Sequence, residues 1–216
     1  MIKPIIFSGA MVRAILEGRK TQTRRVVKPQ PTHFNFLKFP SNGSDLRQWP
    51  ITPHGDNLPC PYGKPGDGLW VREAWRKSVS QYESVYYRAD EEYNTGKEWG
   101  WKPSIHMPRW ASRITLEIVS VRVERLQDIT MESVVSEGIG FHISNLGARN
   151  SSPTRLYEAF PDREGGYTNA KEAFGALWDS INRKKYPWES NPWVWVIEFI
   201  HKEAQRHNVG VHGGTI

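Results

Sequence analysis

Between Ala111 and Leu126 apolar and polar side chains alternate: Ile114, Leu116 and Ile118 are separated by Thr115 and Glu117, and Arg113 precedes them. The alternation resumes with Val121 and Val123 against Arg122 and Glu124, after a slip in phase at Val119–Ser120. A period of two belongs to a strand with one face on a core and the other toward water. The run therefore predicts a long half-buried strand, and the slip predicts a bulge or bend in it. A bulge at that point is what a curved sheet or a small barrel requires.

The remaining elements fit that demand. Ile2–Phe7 reads as an opening strand, followed by Ser8 as the N-cap of a short helix carrying Val12, Ile15 and Leu16, with Gly18 as its stop. This places Arg19–Arg25 on a loop, and Arg25–Lys28 starts a second strand that Pro29 and Pro31 end. Gly66-Asp67-Gly68 is a turn, Leu69–Trp75 a strand and Val85–Arg88 another. Thr130 caps a helix running to Glu137 and stopped by Gly138. Asn169 caps a longer helix with Phe174, Leu177, Trp178 and Ile181 on one face, and Trp193–Ile200 is a nearly continuous apolar strand. Residues 29–67 and 140–168 read as loop-rich insertions, the first of them packed, and 204–216 as a frayed tail. The expectation is one α+β domain over residues 1–203, a small, partly closed β-barrel with helices on its rim.

The chain of 216 residues is 38% hydrophobic and holds ten Trp spread from Trp49 to Trp195, enough apolar material for a core. Its formal charge of +6 draws it toward polyanions, nucleic acid first among them, or simply keeps it in solution. The single cysteine, Cys60, allows no intrachain disulfide and fits a reducing cytoplasm. No apolar run is long enough for a signal peptide or a bilayer span, so no membrane partner is expected. The histidines lack zinc-site spacing, His201, His207 and His212 offer a metal only adventitious contacts, and no nucleotide-binding glycine loop or Gly-x-Ser-x-Gly elbow occurs. Neither a cofactor nor a metal is expected.

One segment concentrates chemistry. Arg19–Lys28 carries five cations (Arg19, Lys20, Arg24, Arg25 and Lys28) with no acidic residue, interleaved with Thr21, Gln22 and Thr23. Cations neutralise phosphates, and hydroxyl and amide groups hydrogen-bond bases or sugars; a solvated basic loop is the plainer alternative. Lys20 and Thr23 are close enough in sequence for a turn to bring them together, and a neutral lysine beside a hydroxyl activates a weak nucleophile.

Gly18, Lys20, Thr23 and Arg25 match the ASCH-domain pattern Gly-x-Lys-x-x-Thr-x-Arg. The similarity extends through Gly66–Val71, the long strand after Ala111, Leu126–Gly138 and Trp193–Phe199. The chain thus resembles ASCH domains, β-barrels of the PUA-like superfamily whose members commonly bind RNA, and is similar to those carried by phages and prophages. Some small ASCH proteins are amidohydrolases that remove the acetyl group of N4-acetylcytidine. The resemblance implies Thr23 as nucleophile, Lys20 as its base and Glu137 as orienter or proton donor. Arg25 would position the substrate, and Arg19 and Arg24 would join it in binding. The implied partner is RNA, DNA or a modified nucleoside. A non-catalytic RNA- or DNA-binding module and a nuclease for single-stranded RNA are the alternatives.

Three positions carry double readings. Glu137 serves the site or merely ends a rim helix in a salt bridge. Glu73 shares a strand face with Val71 and Trp75, and either holds an arginine of the motif or takes part in catalysis. Arg109 and Trp110, in a segment with His106, either form a rim that stacks unpaired bases or are an acid-paired cation and a core ring.

Overall fold

The computed structural model describes residues 1–38, 46–78, 84–90, 100–144, 154–158 and 166–202. In chain order the elements are β1 (Ile2–Ile6), α1 (Gly9–Leu16), β2 (Gln22–Val26), β3 (Phe34–Lys38), β4 (Leu46–Pro50), β5 (Gly68–Arg72), β6 (Trp75–Lys77), β7 (Val85–Tyr87), β8 (Thr115–Arg125), α2 (Met131–Ser136), β9 (Phe141–Ser144), β10 (Thr154–Tyr157), α3 (Ala170–Asn182) and β11 (Trp193–Lys202). Five strands form the main sheet in the order β1-β5-β8-β11-β2, and β3–β4, β6–β7 and β9–β10 are separate pairs. Only β1 and β5 run parallel in the main sheet. The architecture is mixed α+β, with a core made mostly of sheet and few helices.

The nearly continuous apolar run near the chain end has a simple cause: β11 is buried on both faces. Trp195, Ile197 and Phe199 enter one core with Ile5, Phe7, Val12, Ile15, Leu116, Ile118 and Val121. Val194 and Val196 point the other way, into a second core with Phe174, Leu177 and Trp178 of α3 and Val134 of α2. β8, half-buried as its alternation predicts, lies beside β11. Phe199 pairs with Ile118 and Glu198 with Ser120, so Val119 bulges out, unpaired and exposed, where the phase slips in sequence.

Several expectations need correction. The sheet is open: among the described residues no ladder joins its edges β1 and β2, so it is not a closed barrel. The chain between α1 and β2 gives its amides elsewhere, Lys20 N to the Ala14 carbonyl and Thr21 N to the Ser136 carbonyl. A side chain bridges the seam instead, Arg25 Nη2 donating to the Ile6 carbonyl at 2.7 Å. β2 starts at Gln22 rather than Arg25, because Gln22–Val26 pair with Glu198–Val194 of β11; the second half of the motif is strand, and only Gly18–Thr21 form a turn before it. The strand expected over Leu69–Trp75 breaks at Glu73–Ala74, where the chain leaves β8 and β6 pairs with β7.

Ile181 is 55% exposed, one turn past Trp178, the last buried residue of the α3 stripe. The first insertion carries a hairpin packed on the sheet, with Phe34 against Trp193 at 4.3 Å and Trp49 against Trp195 at 5.3 Å between ring centres. The second carries β9–β10, and residues 203–216, with His207 and His212, lie outside the described residues.

Burial on two faces makes β11 the most sensitive strand. Ile197→Ala should lower stability by about 2–5 kcal/mol, whereas Ile200→Ala, in the same run but 52% exposed, should change it by less than about 0.5 kcal/mol. Equilibrium urea unfolding of the two variants checks this; equal losses would contradict the two-core arrangement.

Candidate functional site

Two helix ends meet beside β2. Ser8 caps α1 by accepting from Met11 N, and Gly18, at φ +73°, turns the chain back so that Lys20 passes beneath the helix end. Thr130 caps α2 by accepting from Ser133 N, and Glu137 is its C-cap. Gly138 follows at φ +94°, and a Cβ there would stand 3.0 Å from the Cβ atoms of both Ala14 and Lys20. Glycine is thus needed for backbone conformation and for close approach at once.

The Lys20 side chain is wholly buried. Its amine donates to the Gln22 carbonyl at 2.8 Å, the Glu137 carbonyl at 2.7 Å and Glu137 Oε2 at 2.9 Å. The second oxygen of Glu137 accepts from Arg24 Nη1 at 3.1 Å, and Arg24 Nη2 donates to Glu124 Oε2 at 2.9 Å. Arg122 continues the network to Glu124, Glu198 and the Gln22 side-chain oxygen. Lys20, Arg24 and Arg122 therefore face Glu137, Glu124 and Glu198, and the cluster balances in charge. Strand register explains it: Gln22 lies opposite Glu198, and both Arg24 and Arg122 lie opposite Val196, on one face of the sheet.

Burial lowers the Lys20 pKa below its ordinary 10.5; Glu137 opposes the shift, while the cations of Arg25 and Arg24 add to it. Two buried donors of the cluster, Gln22 Nε2 and Arg24 Nε, have no partner among the described residues. Thr23, also on β2, points to the other face with Arg25, opposite Ile197, and is buried. Its hydroxyl makes no hydrogen bond among the described residues, to Lys20 or to any other group. Phe7 lies near both sides of the seam, 5.5 Å from the Lys20 amine and 5.2 Å from the Arg25 guanidinium.

The structure brings Lys20, Arg24 and Glu137 into contact and keeps Thr23 and Arg25 on the same strand. It does not leave the motif a free basic loop: Lys20 and Arg24 are 2% and 3% exposed and offer phosphates no surface. Their counter-charges come from strands and a helix remote in sequence. Arg19 is exposed and pairs with Glu17.

Glu73 is buried elsewhere, bound by Arg113 at 3.0 Å and 3.2 Å rather than by a motif arginine, with its pKa raised by burial against the pull of Arg113. Trp110 is 63% exposed, not a core ring, and Arg109 bonds Thr115 rather than an acid. Glu124, Arg122 and Glu198 escaped the sequence reading. Their signal was present, as the polar phase of the long alternation and the lone acid within Trp193–Ile200.

A cavity of about 300 Å³ under the first insertion is lined by Trp49, Pro59, Cys60, Lys64 and Val121, with none of the candidate residues. Among the described residues no cluster of His, Cys, Asp or Glu could hold a metal ion, and no helix is long and apolar enough to cross a membrane. Compared with known proteins, the chain matches no family model, no curated protein and no solved structure.

Glu137 is the hinge of the cluster. Its replacement by Leu leaves Lys20 and Arg24 buried without their shared carboxylate and should cost about 3–5 kcal/mol. Glu17→Ala, at the exposed pair with Arg19, should cost under about 1 kcal/mol. Chemical denaturation of both variants measures the contrast; comparable small losses would show that Glu137 is not the buried counter-ion.

Proposed function

We propose that this chain is a nucleoside- or nucleic-acid-directed hydrolase of the ASCH, PUA-like type, removing an N-acyl group from a modified cytidine. The observation that carries the reading is the buried Lys20–Glu137 contact, formed across 117 residues of sequence. Those are two of the three positions that the resemblance marks for catalysis. The third, Thr23, is one strand residue beyond Gln22, whose carbonyl Lys20 holds. The open five-stranded sheet, with α1 and α2 ending at its seam, is compatible with a PUA-like fold.

The chemistry follows from acid–base properties. Thr23 Oγ1 attacks the acyl carbonyl as its proton passes to neutral Lys20, and the acyl–nitrogen bond breaks as that proton is returned to the leaving amine. Water then cleaves the acyl-threonine ester to release the carboxylic acid. Glu137 holds the lysine in place, and the depressed Lys20 pKa makes the neutral amine accessible. To serve as base, the amine must exchange one of its three acceptors for the Thr23 hydroxyl. Arg25, half-buried at the seam, is the cation placed to meet the substrate there.

A second reading, a binding module without turnover, is favoured by those same three acceptors: a protonated lysine with every N–H engaged is a structural anchor.

Incubation of the purified protein with acylated and other modified nucleosides and short RNAs, followed by mass spectrometry, separates the two. The expected product is deacylated cytidine, with turnover lost in Thr23→Ala and in Lys20→Met, and the double variant little worse than either. Activity should rise with pH as Lys20 loses its proton, with a midpoint below 10.5 because burial disfavours the ammonium form. Glu137→Gln removes the charge that opposes this shift and should move the limb to lower pH. No turnover on any acylated nucleoside would leave the binding module as the better description.

A further inference from the structure

The outer face of the sheet carries cations and rings that the proposed reaction does not use. Trp110, in the 3-10 turn Arg109–Ala111, is 63% exposed yet held edge-on by buried Trp75, with ring centres 5.6 Å apart and planes at 89°. The Lys77 amine stands 5.8 Å from the Trp110 ring centre, and the Lys102 amine 5.1 Å from that of Trp75. The guanidinium groups of Arg109 and Arg72 lie 5.8 Å and 5.4 Å from the ring centre of Trp70.

Leu69 and Val71 are buried, so Trp70 and Arg72 project from the opposite face of β5. Across the parallel pairing Arg72 lies opposite Ile6, whose carbonyl accepts from Arg25 at the seam. Trp110, Arg109, Trp70 and Arg72 thus follow one another along this face, with the Arg109 and Arg72 guanidinium groups both over the Trp70 ring.

Arg72, Lys102 and Arg109 form no ion pair among the described residues, and Arg72 Nε is a buried donor without a partner there. Their charge is available to an anion. A tryptophan fixed by an edge contact is a stacking surface that loses little freedom on binding. Cations interleaved with rings match a polymer that alternates phosphates with open base faces, which a single strand has and a duplex hides. A bilayer surface fits less well, because these cations lie over the rings rather than around a bare apolar patch.

We propose that this face is a binding track for single-stranded nucleic acid. Trp110 stacks a base, and Arg109 and Arg72 neutralise phosphates. The proposal deepens, and rests on, the nucleic-acid part of the reading above.

Fluorescence anisotropy with labelled oligouridine, oligothymidine and a duplex tests it, with co-sedimentation on phosphatidylserine vesicles as a further arm. Single strands of RNA, DNA or both should bind more tightly than the duplex. Trp110→Ala should weaken that binding by about 5-fold or more. In Arg72→Ala/Arg109→Ala the slope of log affinity against log salt should shrink by roughly 1.4, two phosphate contacts' worth. Circular dichroism confirms that the variants fold. Unchanged affinity in Trp110→Ala, equal binding of the duplex, or binding to vesicles with none to oligonucleotides would overturn the track. Anisotropy reads this surface and turnover of free nucleosides reads the buried cluster, so either proposal can fail alone.

Discussion

A lysine amine and a glutamate carboxylate lie 2.9 Å apart, almost wholly out of water, where the ends of α1 and α2 meet the edge strand β2. Charges this deep are tolerated only when partnered. The arrangement of the surrounding elements can be understood as supplying those partners. α2 must end at Glu137 for its carboxylate and carbonyl both to reach Lys20, and Gly138 must follow because a side chain there would strike Ala14 and Lys20. β2 must pair with β11 in its observed register for Arg24 to reach Glu137 and Glu124 together.

The cluster sits against a scaffold organised by β11. That strand sends alternate side chains into two separate cores, one under β1, α1 and the hairpin of the first insertion, the other under α2 and α3. The polar network occupies the sheet face where β2, β11 and β8 present Gln22, Arg24, Glu198, Arg122 and Glu124. Thr23 and Arg25, one residue out of phase, face the first core and the seam instead. The division is a direct consequence of strand alternation. A reaction at the seam would draw Thr23 from one face and Lys20 from the turn at the strand's start.

The two proposed sites differ in physical character. Around Lys20 the charges are balanced, and Lys20, Arg24 and Glu137 are buried, which suits a preorganised centre with a shifted pKa. Arg72 and Arg109 form no ion pair among the described residues and lie on the Trp70 ring, which suits loose, salt-sensitive contact with a polyanion. The Arg25 guanidinium bridges the open edges of the sheet by donating to the Ile6 carbonyl.

Local features were legible from residue order alone: the long alternating strand and its bulge at Val119, the caps at Ser8, Thr130 and Asn169, and the glycine stops at Gly18 and Gly138. Each depends on backbone geometry and on neighbours within a few residues. The segment Arg19–Arg25 looked like an exposed basic loop for the same reason, since no acid occurs within it. Its counter-charges, Glu124 and Glu137, lie about a hundred residues further on. Only the pairing of β2 with β11, and the meeting of two helix ends, brought them within hydrogen-bond reach. The same holds for Glu73, which alternation placed on the buried face beside Val71 but which took Arg113 as its partner. Residue order determined which way side chains point along each element. The tertiary structure alone decided which charges meet, because that depends on packing between segments that no local pattern connects.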